Sequence, residues 1–185
     1  MSAMRNLILK KWLVAFLPAA LLSLFLVGCG FHLQGSRPLP AALQKLSIEF
    51  KQSYGVAEPP LLKFLQAEAE RRGGWVVAQR QDDAARLRIT SLENKRQALS
   101  LSPETGKTIE SLLTTTVEYE LVKGSDVLVP QQSDEVVREI IYNPLQVLSK
   151  EYEDQDAYEE MQRELARIIY LRLEGRLAAQ ASSAR

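Results

Sequence analysis

Cysteine and histidine are almost absent from this 185-residue chain: Cys29 and His32 are the only ones. One cysteine excludes an intramolecular disulfide and any Cys₄ or Cys₂His₂ zinc site. No excess of either charge exists, with 23 basic and 23 acidic residues. Arg5, Lys10 and Lys11 all precede the first apolar run, so a chain starting at Cys29 would carry a net charge of about −3. That is no footprint for nucleic acid. Missing too are a GxSxG elbow, a P-loop, a GxGxxG turn and an HExxH helix. Internal repeats and low-complexity segments are likewise absent.

The apolar run itself is informative. Residues 1–11 are positively charged, Trp12 to Val27 are apolar, and "LVG" leads directly into Cys29. The run is short for a membrane span and contains Pro18, so it reads as a secretory signal. "LVGC" resembles the bacterial lipobox. That resemblance implies a diacylglycerol on the Cys29 sulfur, removal of residues 1–28, and acylation of the new N-terminus. Several acyl chains, at about 0.8 kcal/mol per buried CH₂, anchor stably where one is marginal. Gly30 stands where Asp would retain such a lipoprotein at the inner membrane, which points to the outer membrane.

Cys29 and His32 therefore make a poor nucleophile–base pair: an acylated sulfur is no thiolate, and neither residue has a scaffold. Glu118 and Glu120 alternate on one strand face, as solvated positions do. The acids Glu151, Glu153, Asp154 and Asp156 lack EF-hand spacing and suit a helix start. Tyr142, Tyr152 and Tyr158 are expected to pack. The chain is expected to be no enzyme, with no metal and no cofactor.

Gly- and Pro-rich residues 29–42 form an extended leader ending near Pro40. "LQKLSIEF" (Leu43 to Phe50) alternates as a first strand. A Pro59-Pro60 pair starts a helix bearing Leu61, Leu62, Phe64, Leu65 and Ala69, which Gly73-Gly74 stops. "WVVA" (Trp75 to Ala78) and Ala85 to Leu101 supply a second strand region. "TIESLLTTTVEYELV" is the clearest strand: Ile109, Leu113, Val117, Tyr119 and Leu121 share one face, with Thr and Glu opposite. A hairpin at Lys123 to Asp126 leads to a last strand, where Pro130 predicts an edge or a bulge. After a loop, Asp156 and Glu159 resemble a capping box opening a helix striped by Met161, Leu165, Ile168, Ile169 and Leu173. Residues 178–185 read as a flexible tail.

The order β-α-β-β-β-α predicts an α/β (α+β) fold. It is a two-layer sandwich, with two helices on one face of a four-stranded mixed sheet spanning residues 43–177. The last three strands should be antiparallel. The 102–107 turn and the 143–151 loop then meet at one end of the sheet, making Lys107 and Lys150 neighbours.

"GCGFHLQG" (Gly28 to Gly35) resembles the mature start of the LptE family of lipopolysaccharide-assembly lipoproteins, with Gln34 where Arg is usual. The segment "YNPLQVLSKEYEDQDAYEEMQRELARIIYLRL" resembles the same family's Asn-Pro, loop, Lys and terminal helix. The likeness extends over nearly the whole mature chain. It implies an outer-membrane, periplasm-facing lipoprotein that plugs and helps assemble the large β-barrel LptD and binds lipopolysaccharide for delivery to the outer leaflet. Lys150 matches a basic position of the family. The other basic position falls in the 102–107 turn, where this chain carries Pro-Glu-Thr-Gly; Lys107 and then Arg96 are the remaining candidates. The alternative is a periplasm-facing lipoprotein binding another lipid or a cell-wall ligand without an obligate barrel.

Overall fold

The computed structural model describes residues 39–51, 58–77, 81, 83–142 and 150–183. Cys29 and His32 lie outside them, as do the 143–149 segment and the side chains of Lys150 and Glu151. The described residues contain a short helix α1 (Ala41–Gln44) and a strand β1 (Lys45–Phe50), then α2 (Pro60–Arg71) and β2 (Trp75–Val76). Long strands β3 (Ala85–Leu101), β4 (Thr108–Lys123) and β5 (Asp126–Ile141) precede the terminal helix α3 (Lys150–Ser183).

The sheet has five strands in the order β2-β1-β3-β4-β5. β1 is parallel to both of its neighbours, whereas β3, β4 and β5 form an antiparallel meander. The expected α+β class is therefore the observed one, with a strand more than expected. Trp75–Val76 is its own two-residue strand against Lys45–Leu46 rather than the start of β3. Only pairing across the sheet reveals so short a strand.

Alternation in β4 works as its sequence predicts. Leu113, Val117, Tyr119 and Leu121 are fully buried beneath the helices, with Thr115 on the same face, while Thr114, Thr116, Glu118 and Glu120 opposite are half-buried. Leu61 and Leu65 of α2 and Met161, Leu165, Ile169 and Leu173 of α3 join them in one core. Each such side chain contributes about 1.5–3 kcal/mol by leaving water. Pro130 sits at both an edge and a bulge. β5 is the outermost strand, and the ladder steps from Tyr119↔Gln132 to Leu121↔Val129, leaving Glu120 opposite two residues. Proline is tolerated there because its nitrogen has no ladder bond to make.

α2 ends as a Schellman motif. Gly73 has φ of 81° and donates to Glu70 O, while Gly74 donates to Ala69 O at 2.9 Å. The last helix begins at Lys150, six residues before the expected capping box, so Glu153, Asp154 and Asp156 occupy its first two turns. Carboxylates there complement the helix dipole, which explains the earlier start. The helix then continues to Ser183, through the segment expected to be a tail. Among the described residues no helix is long and apolar enough to cross a membrane.

Candidate functional site

The antiparallel meander brings three features to one end of the sheet. Ser102 N–H donates to Lys107 O at 2.7 Å, closing the β3–β4 turn. Tyr142 N–H donates to Ile109 O at 2.8 Å, so β5 finishes beside the start of β4. α3 then runs back along β5. Asp154 lies by Tyr142, Glu160 by Arg138, Arg172 by Asp134, and Gln180 by Leu128. The start of α3, carrying Lys150, accordingly stands at the same end as the 102–107 turn.

Lys107 is exposed there. Lys150 opens α3, and its side chain lies outside the described residues. Arg96 sits further along β3, opposite Leu113, and is already engaged. Its Nη1 is 3.2 Å from Asp154 Oδ2, its Nε donates to Ser111 Oγ at 3.1 Å, and its guanidinium lies 5.3 Å from the Tyr142 ring centre. The Tyr142 hydroxyl donates to Asp154 Oδ1. Burial pushes the Tyr142 phenol up, and Asp154 adds to the shift. Tyr158, whose hydroxyl donates to Lys95 O at 3.0 Å, is raised by burial and by Asp154 as well.

Apolar side chains surround the lysine end. Leu99, Leu101 (57% exposed), Ile141 (72%) and Tyr152 all face outward. Around Leu99 the β3–β4 register shifts twice, between Ala98 and Ser100 and again before Leu101. These apolar positions, like the link from Asp154 to Arg96, escaped the reading of sequence. Leu101 and Ile141 looked like ordinary members of alternating strands, and a carboxylate's partner depends on register. The spacing of Lys150 and Asp154, one helical turn apart, was the available signal.

The other candidates stay ordinary. Glu120 pairs with Arg88 at 3.0 Å and Glu118 accepts from Gln131 at 2.9 Å. A cleft of about 350 Å³ is bordered by Pro60, Asn94, Asp154, Tyr158, Glu159 and Gln162. Its two carboxylates are already paired, Asp154 with Arg96 and Glu159 with Lys63 at 3.1 Å. Among the described residues no group of three His, Cys, Asp or Glu side chains could hold a metal ion.

Solved lipoproteins share this two-layer architecture. A lipoprotein B from Nitrosomonas europaea superposes with a TM-score of 0.62 at 22% identity, covering 81% of this chain and 94% of its own. A minor lipoprotein from Acinetobacter baumannii gives 0.60 at 19%, covering 74% and 94%. The fold thus defines the class: a two-layer α+β domain with two helices packed on a five-stranded mixed sheet. Residues 43–173 match the family model LptE, described as lipopolysaccharide-assembly. The LPS-assembly lipoprotein LptE of Pectobacterium atrosepticum is 30% identical over 155 residues, 81% of this chain and 79% of its own. That of Photorhabdus laumondii is 28% identical over 146 residues, 79% and 77%. The chain belongs to the LptE family, a family of lipopolysaccharide-assembly lipoproteins and not of enzymes.

Proposed function

We propose that this chain is held in the outer membrane by acyl chains on Cys29, faces the periplasm and the lumen of a large LptD-like β-barrel, plugs and helps assemble that barrel, and binds lipopolysaccharide for delivery to the outer leaflet. Family membership carries the role in lipopolysaccharide assembly. The binding site is the lysine end of the sheet. Lys150 and Lys107 supply cationic groups suited to phosphates, while Arg96 beside them is bound to Asp154 and Ser111. Exposed Leu101 and Ile141 beside the turn offer apolar surface to the acyl part of the same ligand. A barrel lumen is polar, and the half-exposed Thr and Glu face of β4 suits such surroundings.

Binding of labelled lipopolysaccharide to the detergent-solubilised chain tests the site. Lys150→Glu should weaken it about tenfold, the scale of one charge-assisted contact; unchanged affinity removes Lys150. Affinity purification from solubilised outer membranes tests the partner. A stoichiometric large barrel is expected, and its absence would defeat the plugging role.

A further inference from the structure

Arg96 faces the site end but is committed elsewhere. Three side chains close around it on β3: Ser111 from β4, Tyr142 just past β5, and Asp154 from α3. Arg96 binds Asp154 at 3.2 Å and Ser111 at 3.1 Å, and stacks over Tyr142 at 5.3 Å; Tyr142 in turn donates to Asp154. Ser111 is fully buried, Tyr142 is buried, and the Asp154 side chain is 14% exposed. With Nε held by a hydroxyl and Nη1 by a carboxylate, a two-pronged grip on a ligand phosphate from either edge of the Arg96 fork competes with one of these partners.

We infer that Arg96, Asp154 and Tyr142 are positioning residues for lipopolysaccharide binding: they clamp the first turns of α3 onto the sheet end and thereby set where Lys150 stands relative to Lys107. The inference rests on the proposed role of those two lysines. Lys150 and Asp154 are four residues, about one turn, apart in one helix. Fixing Asp154 therefore fixes the helical turn that begins with Lys150. The clamp also explains why β3, β4, the residue just past β5, and α3 all send a polar group to the same point, where a packing role alone would be served by apolar side chains.

The two possible roles of Arg96 predict opposite signs. As a direct phosphate contact it would be released by Asp154→Asn, and binding would hold or tighten. As part of the clamp, losing the Asp154 charge loosens α3 and weakens binding. Arg96→Lys separates them again. A point charge suffices for a direct contact but lacks the separate, fixed Nε and Nη1 donors that hold Ser111 and Asp154. The experiment measures labelled lipopolysaccharide binding to the full solubilised chain, with hydrogen exchange across residues 151–158. Asp154→Asn and Arg96→Lys should each weaken binding by about fivefold, as expected for side chains coupled in one network, and should speed that exchange. The swap Arg96→Asp with Asp154→Arg should restore binding to within about twofold of wild type, although its cation has moved to α3. Unchanged or tighter binding in Asp154→Asn, retained binding in Arg96→Lys, or no recovery in the swap would overturn the clamp. Lys150→Glu is measured alongside. If it leaves binding unchanged, the lysine reading has failed, and exchange at 151–158 still decides whether the clamp exists.

Discussion

Gln162 caps the start of α2 from a position 101 residues beyond Leu61 in the chain. Its Oε1 accepts the Leu61 N–H at 2.9 Å. α2 opens with Pro59 and Pro60, which have no N–H, and Leu62 N–H reaches Pro59 O at 3.0 Å. The Leu61 donor is buried, and α3 satisfies it. Gln162→Ala should therefore cost about 1–3 kcal/mol, the range for stranding a buried donor. Urea denaturation checks the value, and a midpoint equal to wild type would show that water substitutes for the cap.

The two glycines that end α2 should respond differently to alanine. Gly73 has φ of 81° and open space around it, so Gly73→Ala costs about 1 kcal/mol in backbone strain. At Gly74 an added Cβ would stand 2.9 Å from Leu43 O and 3.1 Å from Leu39 Cδ1. The backbone oxygen cannot turn aside, so Gly74→Ala should cost about 1–3 kcal/mol by overpacking. Thermal unfolding of the pair would rank them. A milder effect at Gly74 would mean that the Leu39–Leu43 segment yields.

Asp134 is a carboxylate pointing inward from the edge strand β5. Tyr119 donates to it at 2.7 Å and Arg172 pairs with it at 2.6 Å. An inward charge of this kind also discourages edge-to-edge pairing. Tyr119→Phe should destabilise by about 1.5 kcal/mol, the lower end for a hydrogen bond to a charged group, because Arg172 still holds Asp134.

Alkaline stability follows from the same phenol. Burial, then Asp134, pushes Tyr119 well above its ordinary value of 10.0, and burial raises Tyr170 as well. Above about pH 10 the unfolded chain releases protons that the folded chain keeps, so stability falls as pH rises from there. Below that pH the contribution is fully present. Urea midpoints should drop steadily from about pH 10 upward, and the Tyr119→Phe slope should be shallower than wild type. Equal slopes would remove Tyr119 from this account.

Tyr170 is fully buried under the Arg72 guanidinium, 5.8 Å from its ring centre. Among the described residues its hydroxyl has no hydrogen-bond partner. Arg72 itself binds Glu68 and Glu174, each at 2.7 Å, locking α2 to α3. Burial pulls the Arg72 pKa down, but these two carboxylates outweigh it and the net shift is upward. Tyr170→Phe should be neutral or stabilising by up to about 1 kcal/mol, since it removes only an unsatisfied group. Calorimetry showing a clear loss would reveal a partner for the hydroxyl.

Local features were legible from residues alone because neighbours along the chain create them. The Thr and Glu alternation of β4, the Gly73-Gly74 stop, the Met161–Leu173 stripe and the Pro130 irregularity each need only a few adjacent side chains to declare themselves. Antiparallel order also placed the 102–107 turn and the start of α3 at one end before any distance was known. Folding in three dimensions settled the rest. Trp75–Val76 became a strand because Lys45–Leu46 lay alongside it. Gln162 became a cap because α3 crosses the start of α2. Arg96, one cation among 23 basic residues in sequence, was drawn to Asp154 and Tyr142 by a register that no local pattern encodes. A side chain's partner is chosen by what folding brings within about 3 Å of it, and residues 58 positions apart in the chain, as Arg96 and Asp154 are, carry no local trace of that meeting.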